Sequence, residues 1–297
     1  MTTEAETQVV AGVELHSLPE MVYTADSALR RPGRLLGEMS RDLWVSRELA
    51  WRLFLRDLSA QYRQSCLGYL WVLLPPLAQM LVWVFLNSQG ILAVGETPVP
   101  YPVYVLVGVV LWEGFVASLN APTAAVAGAA GMLSKINFPR EALLVAGFGQ
   151  VVFNTSVRLL LLVGVFVWFG IVPPAMAVLA PLTILSVLLF GFTLGLLLVP
   201  LAMLYQDVGR GIGLMTTAWF FMTPVIYPPP TQWPASLLSR LNPVSPLLIT
   251  ARETMTTGVV SQPWDYVVVV VLMLTALLIG WVMYRLAMPH MIARMSA

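Results

Sequence analysis

Few residues in this chain are of types that do acid–base or metal chemistry, and those few are scattered. Two histidines, His16 and His290, stand near opposite ends; the one cysteine is Cys66 and the one lysine is Lys135. Between the long apolar runs, Asp207 and Glu141 each stand apart, whereas an acid–base or metal centre needs several such groups converging on one point. The pattern therefore offers no catalytic and no metal-ligating residues, and a lone cysteine excludes an internal disulfide. A phosphate-binding loop needs two glycines followed by Lys and Ser or Thr. Lys135 instead follows Ser134 and precedes Ile136.

Two charges have a different meaning, because they interrupt stretches that are otherwise apolar. Glu113 and Arg158 sit near the middle of such stretches, where an unpaired charge costs about 2.5–3.5 kcal/mol on insertion scales. They must pair or face water. Gln150, Asn154 and Arg158 recur every four residues and share one helix face. That face either lines a conduit or forms a polar seam between two spans.

The elements that hold these residues follow from composition. Of 297 residues, 58% are hydrophobic and 10% charged, against roughly a quarter charged in a soluble domain, so the chain is an integral membrane protein. A span needs roughly 20 apolar residues, and backbone groups in lipid must be satisfied within the segment, which dictates helices. Pro173 and Pro174 split the longest uncharged run. The expectation is an all-α protein with six spans, about 71–92, 102–126, 147–170, 176–203, 210–227 and 264–286, forming a permease domain over 69–287. Polar tails at 1–40 and 288–297 flank it, and residues 41–68 form a helix and turn of their own.

Orientation comes from the basic residues, which collect in cytoplasmic loops. With the amino terminus inside, Arg30, Arg31, Arg34, Arg41, Arg47, Arg52, Arg56, Arg63, Lys135, Arg140, Arg210, Arg285 and Arg294 are cytoplasmic, and Arg240 and Arg252 are external. No signal peptide is apparent in the polar first 40 residues. From Arg41 to Leu58, Trp44, Trp51, Leu55 and Leu58 fall within about 60° on a helical wheel, beside a stripe of Glu48, Arg52 and Arg56. This describes an interfacial helix with its apolar face in lipid; a helix packed on the same protein would show a similar pattern.

Three stretches together resemble one family. RELAWRLFLRDLSAQYRQSCLGYLWVLLPPLAQML at 47–81 is similar to the amino-terminal signature of type-2 ABC exporters of polysaccharides, with a "YR.S.LG..W" turn into the first span. KINFPREALL at 135–144 resembles their cytoplasmic coupling segment, and YQDVGRGIGLMTTAWFFMTPVIYPP with RLNPVSPLLITARE resembles their fifth span and external gate. The resemblance covers roughly residues 40–287.

It implies the membrane half of an exporter in the bacterial inner membrane, both termini cytoplasmic, working as a homodimer with two copies of a separate ATPase that binds ATP and magnesium. The cargo would be a lipid-linked cell-envelope glycan such as O-antigen; an exporter of a small drug or antibiotic uses the same frame. The chain itself would hold no cofactor and no nucleic acid, and its partners would be the ATPase, a second copy, membrane lipid and the glycan. In the coupling segment, Lys135, Ile136, Asn137, Phe138, Pro139, Arg140 and Glu141 would meet the ATPase. Phe138 would serve as an aromatic anchor, Lys135, Arg140 and Glu141 as rim contacts, and Pro139 as the first residue of a short helix. An ordinary loop with Phe138 on lipid is the plainer reading.

At the head of the first span, Tyr62, Arg63, Ser65, Leu67 and Gly68 would admit the substrate. Glycine permits the bend and Arg63 faces the anionic leaflet, where it would meet a lipid pyrophosphate or bulk phospholipid. Trp83, Trp112, Trp219 and Phe220 lie within spans, where aromatic rings stack on sugar faces but more often serve packing or interface belts. The proline-rich stretch after the fifth span is too short in its apolar pieces to cross. It reads as short re-entrant or gate helices, in which Arg240, Asn242, Pro243 and Arg252 match the family's gate.

Overall fold

The computed structural model describes residues 32–63, 65–92, 94–133 and 138–295. It divides into two units, residues 1–41 and residues 42–297. The described part of the first is the opening ten residues of helix α1, Pro32–Val45. Ser46 separates α1 from α2, Arg47–Tyr62, so the single helix expected from Arg41 to Leu58 is interrupted once. The Ser46 hydroxyl donates to the Leu43 carbonyl oxygen at 3.0 Å, a local bond that competes with regular helix.

The remaining helices are α3 (Leu70–Ser88), α4 (Tyr101–Gly128), α5 (Ala130–Leu133), α6 (Glu141–Trp168), α7 (Ala180–Leu204), α8 (Asp207–Met222), α9 (Ala235–Leu241), α10 (Val244–Thr256) and α11 (Pro263–Met295). A 3₁₀ turn, Ala175–Leu179, leads into α7. No strand occurs among the described residues. The fold is therefore all-α, as the composition requires.

Five helical segments are long and apolar enough to cross a bilayer: Leu70–Ser88, Tyr101–Gly128, Glu141–Trp168, Ala175–Leu204 and Pro263–Pro289. Helix α8 has 16 residues, about 24 Å at 1.5 Å per residue, which is short of a hydrocarbon core of roughly 30 Å. The run expected to continue to 227 stops at Met222 because Thr223 is extended, at φ −99° and ψ 137°. Thr223 precedes Pro224, and the proline ring disfavours the helical region for its neighbour.

Two boundaries move the other way. α6 starts at Glu141 rather than near 147, because Ala142, Leu143, Leu144 and Ala146 are buried and nothing in 141–146 breaks the helix. No separate short helix follows Pro139; Phe138 and Pro139 are irregular and lead directly into α6. α11 runs on to Met295 through the expected tail, since Met288 and Met291 are buried in a cluster with Tyr284.

Helices α4 and α7 form the interior, with 78% and 67% of their apolar windows buried, whereas α3 and α11 have 11% each and present most of their surface outward. Gly191 and Gly195 explain how closely α4 and α7 approach. A Cβ at Gly191 would strike the Phe115 carbonyl oxygen, and one at Gly195 that of Leu119, the backbone contact that small residues four apart permit between membrane helices. Two hydrophobic clusters result. One joins α4, α6, α7, α8 and α10 around Val103–Phe115; the other joins α2, α6, α7 and α11 around Tyr284.

Candidate functional site

At mid-depth the two isolated charges meet. Arg158 Nη2 lies 3.3 Å from Glu113 Oε2, and both side chains are 14% exposed. Gln79 on α3 donates to Glu113 Oε1 at 2.8 Å, and Arg158 Nε donates to the Val72 carbonyl oxygen at 3.4 Å. Each charge is thus tied to the other and to the first span. The pair also borders a cavity of about 750 Å³ lined by Gln79, Trp83, Trp112, Glu113, Arg158, Thr216, Thr217, Phe220 and Phe221 among others. The same residues thus join the spans, as the polar seam reading expects, and border this hollow.

The aromatic residues divide. Trp83 stacks on Phe220 with ring centres 6.1 Å apart, and Trp112 meets Phe220 edge-on at 5.8 Å. Trp219, grouped with them by sequence, does not line this cavity. Its indole N–H donates to Asn242 Oδ1 at 2.9 Å, and its ring packs on Phe115 at 5.5 Å. The face of Gln150, Asn154 and Arg158 divides as well. Gln150 donates to Gln61 on α2 at 2.9 Å, and with Asn154 it lines a second hollow of about 400 Å³ between α2, α4 and α6, next to the first.

The turn into α3 has the geometry its residues suggest. Gly68 has φ +50°, a conformation that costs glycine little, and its N–H donates to Ser65 Oγ at 3.0 Å. The Leu67 carbonyl oxygen accepts from Leu70 N–H at 3.1 Å, which starts the helix. Arg63, at the end of α2, is exposed, and so is Leu67. The side chain of Tyr62 lies outside the described residues. On α2, Ala50 and Leu53 are buried against the cluster around Tyr284 while Trp51 and Leu55 stay exposed, as does Trp44 near the end of α1. Arg52 pairs with Glu48 at 2.6 Å. One face of the helix thus packs on the protein, and the aromatic stripe is left for lipid.

Between α9 and α10, Asn242 is a buried hub. Its Oδ1 accepts from Trp219 and from Val244 N–H at 3.1 Å, and its Nδ2 donates to Thr223 Oγ1 at 2.8 Å. Arg252, 3% exposed, donates through Nη2 to the Val225 carbonyl oxygen at 2.6 Å and lies 3.9 Å over the Tyr104 ring. Tyr104 in turn donates to the Tyr227 carbonyl oxygen at 3.1 Å. Asn242 and Arg252 therefore hold the irregular segment 223–227 from two sides. Gly108 makes room for this, since a Cβ there would collide with Val225 and Arg252. Pro243 caps the start of α10. Arg240 is exposed on α9 and joins neither contact.

In the expected coupling segment, Lys135, Ile136 and Asn137 lie outside the described residues. Phe138 is half-buried against the chain's own cluster. Glu141, expected as a rim contact, is 6% exposed and accepts from Arg285 Nη1 at 3.3 Å; as the first residue of α6 it is drawn inward with the helix. Tyr284 donates to the Arg140 carbonyl oxygen at 3.2 Å. Gln79, Thr223, Tyr104 and Tyr284 carry no sequence signal that selects them. Among the described residues, no three of His, Cys, Asp and Glu come together as a metal site would require.

The class of this helical membrane protein is given by comparison with known sequences. Residues 48–256 match the ABC-2 type transporter family, and the chain belongs to that family. It is 31% identical over 212 residues to the O-antigen export system permease protein RfbA of Myxococcus xanthus, covering 70% of this chain and 80% of the relative. Two proteins of the same name from Klebsiella pneumoniae are each 22% identical over 216 and 220 residues, with the same coverage of both chains.

Proposed function

We propose that this chain is the membrane-spanning subunit of an ATP-driven exporter that moves a lipid-linked polysaccharide, of the O-antigen type, from the cytoplasmic to the outer side of the bacterial inner membrane. The observation that carries the reading is the cavity between α3, α4, α6 and α8. Its rings, Trp83, Trp112, Phe220 and Phe221, suit the apolar faces of sugars, and Gln79, Thr216, Thr217, Glu113 and Arg158 supply bonds for hydroxyl groups. Relatives named as O-antigen export permeases support the same cargo.

Two copies would frame the conduit, with both termini cytoplasmic. Two copies of a separate ATPase would bind ATP and magnesium and dock on the segment around Lys135–Glu141, anchored by Phe138. Arg63 would receive the carrier pyrophosphate, since a guanidinium can bind phosphate oxygens two at a time. Asn242, Pro243 and Arg252 would set the external gate.

A cavity of about 750 Å³ also falls within the size range of sites for drug-sized molecules, so an exporter of small molecules is the competing reading. Deleting the chain separates the two. Loss of surface glycan with lipid-linked glycan accumulating inside supports glycan export. Unchanged surface glycan together with altered resistance to a small toxic compound overturns it.

A further inference from the structure

One guanidinium joins elements far apart in sequence. Arg285 on α11 donates through Nη2 to Asp42 Oδ2 at 2.7 Å and through Nη1 to Glu141 Oε1 at 3.3 Å. Asp42 lies in the last turn of α1, and Glu141 is the first residue of α6, directly after Phe138, Pro139 and Arg140. The neighbouring Tyr284, 1% exposed, binds the Arg140 carbonyl oxygen. The Glu141 side chain is 7% exposed, that of Arg285 24% and that of Asp42 40%. The contact to Asp42 on α1 is thus the shorter, and that to Glu141 on α6 the more buried.

This arrangement is mechanical in kind. The two nitrogens of a rigid planar fork each hold one carboxylate, so the distance between Asp42 and Glu141 is fixed by the shape of the guanidinium. Arg285 is itself held by the packing of α11, through Tyr284, Met288 and Met291 in their shared cluster. A displacement of the 138–141 segment must therefore pull on Glu141, and through Arg285 on Asp42. From Asp42 the chain continues across Ser46 into α2 and so to the turn at Arg63 and Gly68. A bond that served only to neutralise Glu141 would have no need of a second carboxylate on another helix.

We propose that Arg285 is a positioning residue that links the ATPase-docking segment to the leading helix, so that it sets how much substrate is exported for each ATP hydrolysed. The proposal rests on the reading of 138–141 as the docking site. Arg285→Lys keeps the charge but cannot hold both carboxylates in the same fork, and Asp42→Asn and Glu141→Gln weaken one arm each.

The experiment measures three quantities in membranes carrying each variant: copurification of the ATPase, ATP hydrolysis, and surface glycan delivered per ATP hydrolysed. In Arg285→Lys and Asp42→Asn, which lie outside the docking segment, the complex should still copurify and hydrolyse ATP, while the delivery ratio falls about fivefold or more for Arg285→Lys, the lower end of coupling between linked sites. Asp42→Asn and Glu141→Gln should both lower the ratio. An unchanged ratio, with hydrolysis and delivery falling together, would reduce Arg285 to a stabilising contact and overturn the linkage. A loss for Glu141→Gln with none for Asp42→Asn would also overturn it, since the link would not reach α1. Phe138→Ala tests the underlying reading separately: undiminished copurification rejects docking at 138–141, and the linkage with it, whatever Arg285→Lys does.

Discussion

Arg158 and Arg252 are both sunk in apolar surroundings, and the chain accommodates them by different means. Arg158 has a carboxylate, Glu113, at 3.3 Å and a cavity at its side. Arg252 has no carboxylate in ion-pair contact among the described residues; it leans on the Val225 carbonyl oxygen and the face of Tyr104. The difference teaches what each region is built to do. A charge pair bordering a hollow keeps polar groups available to whatever enters. A guanidinium bound to a backbone carbonyl spends its donor on shape, fixing the irregular segment 223–227 where α8 ends.

Removing Arg252 should have the largest effect, because its backbone partner cannot be changed to compensate. Arg252→Leu removes a hydrogen bond from a charged donor, worth about 1.5–3 kcal/mol, and a desolvated cation–π contact worth about 2 kcal/mol. It also leaves the Val225 carbonyl oxygen without that donor. The expected result is a lower unfolding temperature in detergent and a reduced yield of folded protein, with no rescue by changing Tyr104. Full stability in Arg252→Leu would show that the 223–227 segment holds itself.

The Glu113–Arg158 pair should yield less and should be rescuable. Breaking a fully buried pair costs about 3–5 kcal/mol; both side chains here are 14% exposed, so a loss of about 2 kcal/mol is expected for Glu113→Gln or Arg158→Gln. The double variant should recover part of it. Additive losses in that cycle of thermal unfolding measurements would mean the two charges act independently.

The smallest effect belongs to Arg52, whose pair with Glu48 leaves both side chains 74% exposed. Arg52→Ala should change stability by no more than about 0.5 kcal/mol. A larger loss in the same unfolding assay would indicate that the exposed stripe of α2 carries structure beyond a solvated ion pair.

Much of the frame was readable because lipid imposes simple rules. Long uncharged runs locate the spans, Pro173 and Pro174 divide two of them, and two lone charges at membrane depth must pair or face water. The contact of Glu113 with Arg158 is the first of those outcomes. Glycines four apart, Gly191 and Gly195, were an available signal for the α4–α7 contact. What could not be read depends on partners distant in sequence. Nothing near Glu141 announces Arg285, 144 residues away, and so its inward turn is invisible locally. Asn242 stands in a recognisable stretch, but its bonds to Trp219 and Thr223 exist only once α8 has ended and the chain has folded back. The continuation of α11 to Met295 likewise depends on burial of Met288 and Met291, which periodicity in a short polar tail does not reveal.

The cavity between α3, α4, α6 and α8 is the centre of the account, and Trp83 tests it most directly. Trp83 belongs to α3, whose surface is mostly outward, and its ring stacks on Phe220 at the cavity wall. Surface glycan should be measured in cells carrying Trp83→Ala, normalised to the amount of the chain in the membrane and to ATP hydrolysis by the assembled complex. The account predicts a severe loss of surface glycan with both normalising quantities retained. Wild-type surface glycan in Trp83→Ala would contradict it and place the path of the polysaccharide elsewhere in the molecule.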